Sequence, residues 1–290
     1  MQANNRVALI TGCSSGFGLL AAVTMAKAGF QFFATMRNLK KRQKLDDAAR
    51  QAGVNLNVLA LDVNKKTTIT QSLKKIHKAA GPIDVLVNNA GFAFAGFVED
   101  VSDSELRSQF DTNFFAAAEL MRQVIPAMRE RKQGHIINIS SIAGRVGNPA
   151  ISSYAASKWA LEGLSESLSN EMAPFNVKVS LVEPGQFPTE IFSGFPMAKK
   201  SQSESSAYYT FGRYLEGLIM KRLAGNKADP QVVADLITKI ALKKNPRLRY
   251  PVGWDARAQI YLRRVLPARW IELLTNKVVR TLWNKSQQKQ

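Results

Sequence analysis

The sequence contains little cysteine and little histidine. Its 290 residues include one cysteine, Cys13, and two histidines, His77 and His135. A single cysteine excludes an intrachain disulfide and is typical of a reducing compartment. The two histidines lie far apart in the chain, so cysteine and histidine cannot supply a metal-ligand cluster. We therefore predict no metal site.

Long uninterrupted apolar stretches are also missing. Residues 7–26 carry no charge, but glycine and serine break this window, at Gly12, Ser14, Ser15, Gly16 and Gly18. Its centre would be a poor membrane helix, and the apolar run 7–10 is too short for a signal peptide. No repeat or low-complexity linker divides the chain. We expect a cytoplasmic protein with one domain over residues 1–290.

Acidic residues are few relative to basic ones. Forty Lys and Arg against 22 Asp and Glu give a formal net charge of +18. Such a charge favours anionic partners, namely a phosphorylated cofactor, an anionic membrane or nucleic acid, although a basic protein without a macromolecular partner fits equally. No helix-turn-helix, zinc or RNA-binding motif is recognisable. We predict no nucleic-acid partner.

Short apolar runs alternate with longer helical patterns along most of the chain. This alternation predicts repeated βαβ units and an α/β fold with a doubly wound parallel sheet. The predicted strands are 7–11, 31–36, 56–61, 83–87, 134–139, 177–182 and 248–251. The predicted helices are 17–28, 39–52, 65–80, 103–131, 152–173 and 230–242. Residues 186–226 break the alternation, and we interpret them as a substrate lid, with a mobile surface loop as the alternative.

A glycine-rich turn, TGCSSGFG, joins the first strand to the first helix. Glycines permit a tight turn and close approach to a pyrophosphate, and the helix N-terminus offers free N–H groups to an anion. The spacing is G-x-x-x-G-x-G, and a turn without a ligand is the alternative interpretation. The predicted dinucleotide contacts in this turn are Gly12, Ser14, Ser15, Gly16, Phe17 and Gly18.

The end of the second strand indicates which dinucleotide binds. A carboxylate there would bind the ribose 2′-hydroxyl of NAD, but the sequence carries Arg37 and no acid until Asp46. Arginine can bind a phosphate with two hydrogen bonds, so we favour NADP over the alternative of an exposed surface arginine. Ser14 can donate a further hydrogen bond to the same phosphate.

Residues 135–163 combine three polar side chains typical of proton transfer. Ser141 ends a predicted buried strand, and Tyr154 and Lys158 lie four residues apart on the following predicted helix. Residues with this spacing share one helix face. A neighbouring cation favours the phenolate, so Lys158 is expected to lower the pKa of Tyr154 towards the working range of an acid-base catalyst.

Together these motifs resemble the short-chain dehydrogenase/reductase family, in its single-domain branch. The resemblance runs in order through Thr11–Gly18, Asp62-Val63, Asn88-Asn89-Ala90-Gly91, Asn113, Ser141, Tyr154/Lys158 and Pro184-Gly185 with Thr189. The Ser141 to Tyr154 separation of thirteen residues also matches the family. The stretch 248–256 is similar to the retinol dehydrogenase and 17β-hydroxysteroid dehydrogenase group.

The resemblance implies a role for each matching residue. Tyr154 is the general acid or base, Ser141 binds the substrate oxygen, and Lys158 lowers the tyrosine pKa and holds the nicotinamide ribose. Asn113 would hold a water that links Lys158 to solvent. The further implied cofactor contacts are Asp62 and Val63 at adenine, Asn89 on the adenosine side, and Phe187 and Thr189 near the carboxamide. Packing roles for Asn89 and Asn113 remain open.

Aromatic residues predict an apolar substrate, and the resemblance implies a steroid-, retinoid- or fatty-chain-like carbonyl or alcohol. The predicted pocket lining is Phe92, Phe94, Phe97, Val146, Phe187, Phe192 and Phe195 with the lid aromatics Tyr208, Tyr209, Phe211 and Tyr214, and ordinary core positions are the alternative for the phenylalanines. Small or acyl-type ketones, and a non-catalytic NADP-binding regulator, are further alternatives. The resemblance also implies a homo-oligomer, a dimer or tetramer.

The tail 254–290 carries eight Lys and Arg against Asp255 and Glu272. Its apolar residues recur at helical spacing, at Trp270, Ile271, Leu274, Val278, Leu282 and Trp283. A basic amphipathic helix with tryptophan can lie in a membrane interface. Packing over the lid or a second subunit is the alternative.

Overall fold

A computed structural model describes Ala3, residues 5–188 and residues 196–288. The described residues form one sheet of seven parallel strands. The strands are β1 Val7–Ile10, β2 Gln31–Met36, β3 Asn57–Ala60, β4 Val85–Asn88, β5 Gly134–Ile139, β6 Val177–Pro184 and β7 Arg249–Val252. Their spatial order is β3-β2-β1-β4-β5-β6-β7. The predicted doubly wound parallel sheet is confirmed.

The α-helices lie between and after these strands. They are α1 Gly16–Lys27, α2 Gln43–Ala52, α3 Lys66–Ala80, α4 Asp103–Phe110, α5 Ala116–Glu130, α6 Ser152–Met172, α7 Tyr209–Ala224, α8 Gln231–Leu242, α9 Trp254–Val265 and α10 Ala268–Gln287. None of the helices in the described residues carries an apolar stretch of the length needed to cross a bilayer.

Alternation along each strand builds a core on both faces of the sheet. In β1, Ala8 and Ile10 pack with α1 and α8, whereas Val7 and Leu9 pack with α3, α5 and α6. Successive side chains of a strand point to opposite faces, so a strand covered by helices on both faces is apolar throughout. This explains why the central strands appear in the sequence as continuous apolar runs.

The sheet order reverses between β1 and β4. β1 pairs with β2 on one side and with β4 on the other, and the chain continues outwards in both directions. In an open parallel sheet, the crevice at such a switch point, beyond the carboxyl ends of the strands, is where ligands bind. A ligand is therefore expected to bind at the loops after β1 and β4.

The predicted helix 103–131 was wrong in one respect. Asp111–Phe115 forms a π-helical turn between α4 and α5, which places one additional residue in the turn. Such bulges occur frequently at functional sites. The periodicity of apolar residues does not reveal one inserted residue, so the sequence predicted a continuous helix.

The lid, which was expected to be irregular, contains a defined helix, and the tail is helical as its apolar spacing predicted. In the lid, 16 residues form α7, and Met197 forms a β-bridge with Ala95. The tail is two helices, because Leu266 is extended and Pro267, which cannot continue a helix, starts α10.

Candidate active site

The glycine turn after β1 has no room for side chains at two positions. Gly12 has a φ of +74°, and a Cβ atom there would lie 2.9 Å from Cα of Ala90. A Cβ atom at Gly18 would overlap the carbonyl oxygen of Gly12 and Nδ2 of Asn89. The backbone thus approaches the neighbouring loop so closely that only glycine fits.

The first turn of α1 is open to an anion. It contains no acidic residue, and the side chain of Ser15 at the N-cap does not bond the free N–H groups. Unsatisfied N–H groups and the positive end of the helix dipole favour a phosphate. The close-packed glycines and this open helix start fit a pyrophosphate, which is the group the sequence analysis predicted here.

Asn89 and Thr11 hold the turn in place. Nδ2 of Asn89 donates to the carbonyl oxygens of Thr11 at 2.8 Å and of Gly12 at 3.2 Å. The hydroxyl of Thr11 accepts from the backbone N–H groups of Asn89 at 3.1 Å and Ala90 at 2.9 Å. Asn89 therefore has the packing role left open above, and Thr11 is a positioning residue to which the sequence analysis assigned no role.

Cys13 lies buried beneath the same turn. Its backbone N–H donates to the carbonyl oxygen of Thr35 at 2.9 Å, which ties the turn to β2. Burial raises the pKa of the thiol to about 12. The thiol is therefore protonated and unreactive at neutral pH.

Arg37 and Asp62 lie at neighbouring strand ends on the same edge of the sheet. Arg37 follows β2, is exposed, and forms no hydrogen bond or ion pair with the residues that the structure describes. Asp62 follows β3 with Val63 beside it, and Oδ1 of Asp62 accepts from the backbone N–H of Asn64 at 3.1 Å. Because β1, β2 and β3 are parallel neighbours, these residues and the glycine turn share one edge.

The side-chain hydroxyl of Ser141 lies close enough to the phenol of Tyr154 to influence its pKa. Oγ of Ser141 also accepts from the backbone N–H of Ala143 at 3.1 Å, which fixes the serine in the turn after β5. Burial raises the pKa of Tyr154, and the neighbouring hydroxyl of Ser141 opposes that rise. The two hydroxyls form a single polar focus at the end of β5 and the start of α6.

Lys158 lies beside these two hydroxyls, but its ammonium forms its hydrogen bond with a different group. Its ammonium donates to the carbonyl oxygen of Ile139 at 2.8 Å and lies 5.9 Å from the ring centre of Tyr154. Burial lowers the pKa of Lys158 to about 8, and the charge of Glu162 opposes this change. The pKa of Tyr154 is raised and not lowered as expected, because burial of the phenol outweighs the opposing effect of Ser141.

Asn113 is fixed in the π-helical turn by three hydrogen bonds. Its amide oxygen accepts from the N–H of Phe92 at 3.1 Å, and its Nδ2 donates to the carbonyl oxygen of Phe92 at 3.0 Å. Nδ2 also lies 3.1 Å from Oγ of Ser157 on α6. A Cβ atom at Gly91 would lie 3.1 Å from Oδ1 of Asn113 and 3.7 Å from Nζ of Lys158, so the three residues adjoin.

The loop after β6 is held from the tail. The carboxylate of Asp255 accepts from the N–H of Gln186 at 2.8 Å and packs so closely on Gly185 that no side chain fits there. Phe187 is buried and meets Phe17 edge to face, with ring centres 5.7 Å apart. Thr189, Phe192 and Phe195 lie outside the described residues. Asp255 could not be predicted as a contact of this loop from the sequence, because 69 residues separate it from its partner.

Aromatic side chains connect residues 92–97 with the lid. Phe97 stacks on Tyr208 with ring centres 4.4 Å apart and lies 5.8 Å from Phe211. Phe211 in turn meets Trp283 of α10 edge to face at 5.2 Å. The described part of the predicted lid therefore packs on one predicted pocket residue and on the tail.

A cavity of 590 Å³ opens away from these residues. It lies between α3 and α5, and its lining contains Leu73, His77, Gln123 and Val124. None of the predicted site residues contributes to it. The strand ends and hydrogen bonds described above therefore define the candidate active site, and this cavity is not part of it.

The sequence profile of the short chain dehydrogenase family matches residues 6–199. An uncharacterised oxidoreductase of Bacillus subtilis, YusZ, is 40% identical over 280 residues, which cover 95% of this chain and 99% of that protein. Human retinol dehydrogenase 8 is 41% identical over 259 residues, which cover 86% of this chain and 82% of that protein.

Solved structures with the same fold include a short-chain dehydrogenase from Streptomyces avermitilis. It is 33% identical with a TM-score of 0.76 and covers 95% of this chain and 99% of its own. A metagenomic short-chain oxidoreductase in complex with NADP is 28% identical with a TM-score of 0.68, covering 86% and 97%. One from Burkholderia phymatum in complex with NAD is 25% identical with a TM-score of 0.80, covering 94% and 96%.

Proposed function

The chain belongs to the short-chain dehydrogenase family, and from this premise we propose that it is an NADP(H)-dependent oxidoreductase acting on a bulky hydrophobic carbonyl or alcohol. The observation that carries the proposal is that Tyr154, with Ser141 beside it, lies next to the buried ammonium of Lys158, which is 5.9 Å from the centre of the tyrosine ring. It provides a proton donor, a second hydroxyl and a buried cation at one place.

The catalytic residues act through proton transfer and orientation. Tyr154 donates its phenolic proton to the carbonyl oxygen of the substrate in reduction, or removes the hydroxyl proton in oxidation. Ser141 donates a hydrogen bond to the same oxygen, which stabilises the negative charge that develops there. Lys158 stabilises the phenolate once the proton has left.

Asn113 keeps the path for proton return in place. It fixes residue 92 and Ser157, and thereby the walls beside Lys158, so that a water can pass a proton to the ammonium side of the site. Asn113 thus acts in the proton relay as a positioning residue, in keeping with the role that the family resemblance implied.

A bound nicotinamide dinucleotide supplies the hydride. The residues that would hold it are Gly12, Ser14, Ser15, Gly16, Phe17, Gly18, Arg37, Asp62, Val63, Asn89, Tyr154, Lys158, Phe187 and Thr189. Preference for NADP rests on Arg37, an exposed cation without a partner in the described residues. Its guanidinium is free to bind a 2′-phosphate with two hydrogen bonds.

The hydrophobic substrate class rests on the aromatic residues near the site. Phe94, Phe97 and Val146 are buried, and the stack of Phe97 on Tyr208 joins this apolar wall to the lid. Retinol dehydrogenase 8 is named for a lipophilic alcohol, which supports a similar class here. Small or acyl-type ketones are the second candidate.

We also infer a peripheral contact with membranes through α10. Trp270, Leu273, Leu274 and Val278 of this helix are exposed, and they lie beside Arg269, Lys277 and Arg280. Apolar side chains that can enter the headgroup region, flanked by cations that attract anionic lipid, fit an interfacial helix. A lipophilic substrate would then reach the enzyme from the membrane.

A homo-oligomer is the remaining proposal. Phe115 and Trp159 are 53% and 51% exposed, on the π-helical turn and on α6, which contact each other. Exposed aromatic side chains on adjoining elements favour a protein interface. Light scattering should give the mass of a dimer or tetramer, and Trp159→Lys should reduce it to that of the monomer. A monomeric wild type refutes the proposal.

The main test is a screen of steroid, retinoid, long-chain and small carbonyls and alcohols with NADPH and NADH. Tyr154→Phe should retain cofactor binding and lose turnover by at least about 100-fold, because general acid catalysis contributes about 10²–10⁴-fold. Cofactor binding without turnover by the wild type across this screen would favour the alternative, a non-catalytic NADP-binding regulator.

A further inference from the structure

A buried pair of acidic side chains lies next to the catalytic helix turn. Glu162 follows Lys158 by one turn of α6, and Glu183 lies near the end of β6. Their side chains are 5% and 1% exposed. Carboxylates are almost never buried this deeply unless they are paired.

Two arginines contact this pair from other parts of the chain. Nε of Arg249 on β7 lies 3.0 Å from Oε2 of Glu162 and 3.5 Å from Oε1 of Glu183. Arg145, in the loop before α6, approaches Oε1 of Glu183 to 3.1 Å. Arg249 also binds Glu166, an exposed acid on α6, at 2.8 Å. Because one nitrogen of Arg249 lies within 3.5 Å of both buried carboxylates, Glu162 and Glu183 are immediate neighbours.

The second oxygen of each buried acid has no partner. Oε1 of Glu162 and Oε2 of Glu183 are both buried and form no hydrogen bond with the described residues. Two ionised carboxylates this close repel each other, and each unpartnered oxygen is costly to bury. Burial, and then the charge of Glu162, raise the pKa of Glu183 to about 7, while Arg145 and Arg249 oppose the rise. One proton held by the pair relieves the repulsion and removes one buried charge.

The pair also acts on Lys158. Burial lowers the pKa of this lysine, and Glu162 is the charged group that raises it again. Gly144 lies between the acid and the catalytic turn, since a Cβ atom there would lie 3.1 Å from Cγ of Glu162 and 3.2 Å from the carbonyl oxygen of Lys158. Any larger residue at this position would first displace Oγ of Ser140, 2.7 Å from such a Cβ atom, and would also press on Glu162 and the lysine turn.

We propose that Glu162 and Glu183 are positioning residues of the active site, a buried acid pair that holds a shared proton and whose negative charge keeps the ammonium of Lys158 protonated. The groups facing the pair are Lys158 on its own helix, Arg145 and Arg249 from the neighbouring loop and strand, and Glu166 at the surface. Three cations surround the pair. The negative charge that remains on the pair therefore decides whether Lys158 can stay positively charged beside Arg145 and Arg249.

The proposal rests on the catalytic role of Lys158, but its test does not need turnover. The full chain is labelled with ¹³C at the lysine ε carbons, and the Lys158 signal is assigned by its loss in Lys158→Arg. The midpoint of its titration is then measured by NMR. In Glu162→Gln/Glu183→Gln the midpoint should fall by about one pH unit or more, because an opposite charge this close shifts a pKa by about 1–3 units.

Two single variants sharpen the outcome. Glu162→Gln alone should also lower the midpoint, because Glu162 is the acid whose charge raises the pKa of Lys158, but by less than the double variant, since Glu183 keeps a negative charge nearby. Glu166→Gln removes an equal charge from Arg249 at the surface and should leave the midpoint unchanged. An unchanged midpoint in the double variant, or an equal fall in Glu166→Gln, overturns the proposal.

Folding is checked for every variant by circular dichroism. Where the double variant does not fold, Glu162→Gln decides, and a midpoint equal to that of the wild type overturns the proposal. The lysine titration can be measured even if the substrate screen finds no activity. Failure of the proposed function and failure of the proposed role of the acid pair are therefore distinguishable. In an active enzyme, the alkaline limb of kcat/KM should move to lower pH with the lysine midpoint.

Discussion

The side-chain amide of Asn113 pairs with both backbone polar groups of residue Phe92, accepting at 3.1 Å and donating at 3.0 Å. Asn113 belongs to the π-helical turn between α4 and α5, whereas Phe92 follows β4. The pairing attaches the loop after the switch-point strand to the helix layer. It also places the amide against α6, where Lys158 lies one residue beyond Ser157.

The first prediction concerns this pairing. Asn113→Ala should lower the free energy of unfolding by about 2 kcal/mol, because the partly buried N–H of Phe92 loses its partner. Turnover should fall as well, since the loop beside Lys158 is released. Urea unfolding and kcat are the measurements. Asp111→Asn, at an exposed position of the same turn, is the control. Equal stability of Asn113→Ala and the control would contradict the assigned role.

The second prediction concerns cofactor preference. Arg37→Asp should reduce the ratio of kcat/KM for NADPH over NADH by about 10- to 100-fold, since a charged hydrogen bond is worth about 1.5–3 kcal/mol and a carboxylate repels the phosphate. Arg50→Asp makes the same charge change at the far end of α2 and should leave the ratio unaltered. An unaltered ratio in Arg37→Asp would refute binding of the 2′-phosphate by this residue.

The third prediction concerns stability in acid. Burial lowers the pKa of His135 from 6.5 to about 3, so the unfolded chain binds a proton between these values and the folded chain does not. The free energy of unfolding must therefore fall as pH falls from about 6.5 to about 3, by up to about 5 kcal/mol. His135→Gln should flatten this dependence. His77→Gln, on the exposed histidine of α3, should not, and parallel curves for both variants would dismiss the idea.

The fourth prediction concerns α10. The full chain should co-sediment with vesicles that contain phosphatidylserine and less with vesicles of phosphatidylcholine, and added salt should weaken binding. Trp270→Ser/Leu274→Ser should abolish most of the binding because the apolar contact is lost. Val98→Ser/Val232→Ser removes two exposed apolar side chains elsewhere and serves as the control. No sedimentation of the wild type with either lipid ends the membrane proposal.

Local patterns in the sequence predicted the sheet well. The predicted and observed limits agree for β2 and β5, and they differ by one or two residues for the other strands. Apolar runs between helical patterns depend only on nearby residues, and parallel strands buried on both faces require such runs. The glycine turn and the Tyr154/Lys158 spacing are local in the same sense.

Contacts between distant residues could not be predicted in this way. Arg249 and Glu162 are 87 residues apart, and only the pairing of β7 with β6 brings them together. The pKa of Tyr154 is a similar case, because burial of the phenol depends on the packed loops around it. Spacing along α6 predicted that a lysine is nearby, but it could not predict that its ammonium would bond Ile139.

The buried thiol of Cys13 has a practical consequence for work on this protein. It is the only sulfhydryl in the sequence. Its raised pKa of about 12 makes it unreactive towards alkylating reagents while the glycine turn stays folded. The natural chain is thus a ready background for fluorophores or spin labels attached at introduced cysteines, for example on the helix that follows the lid. Conversely, the rate at which the native thiol is slowly modified would report how often the turn that covers it opens.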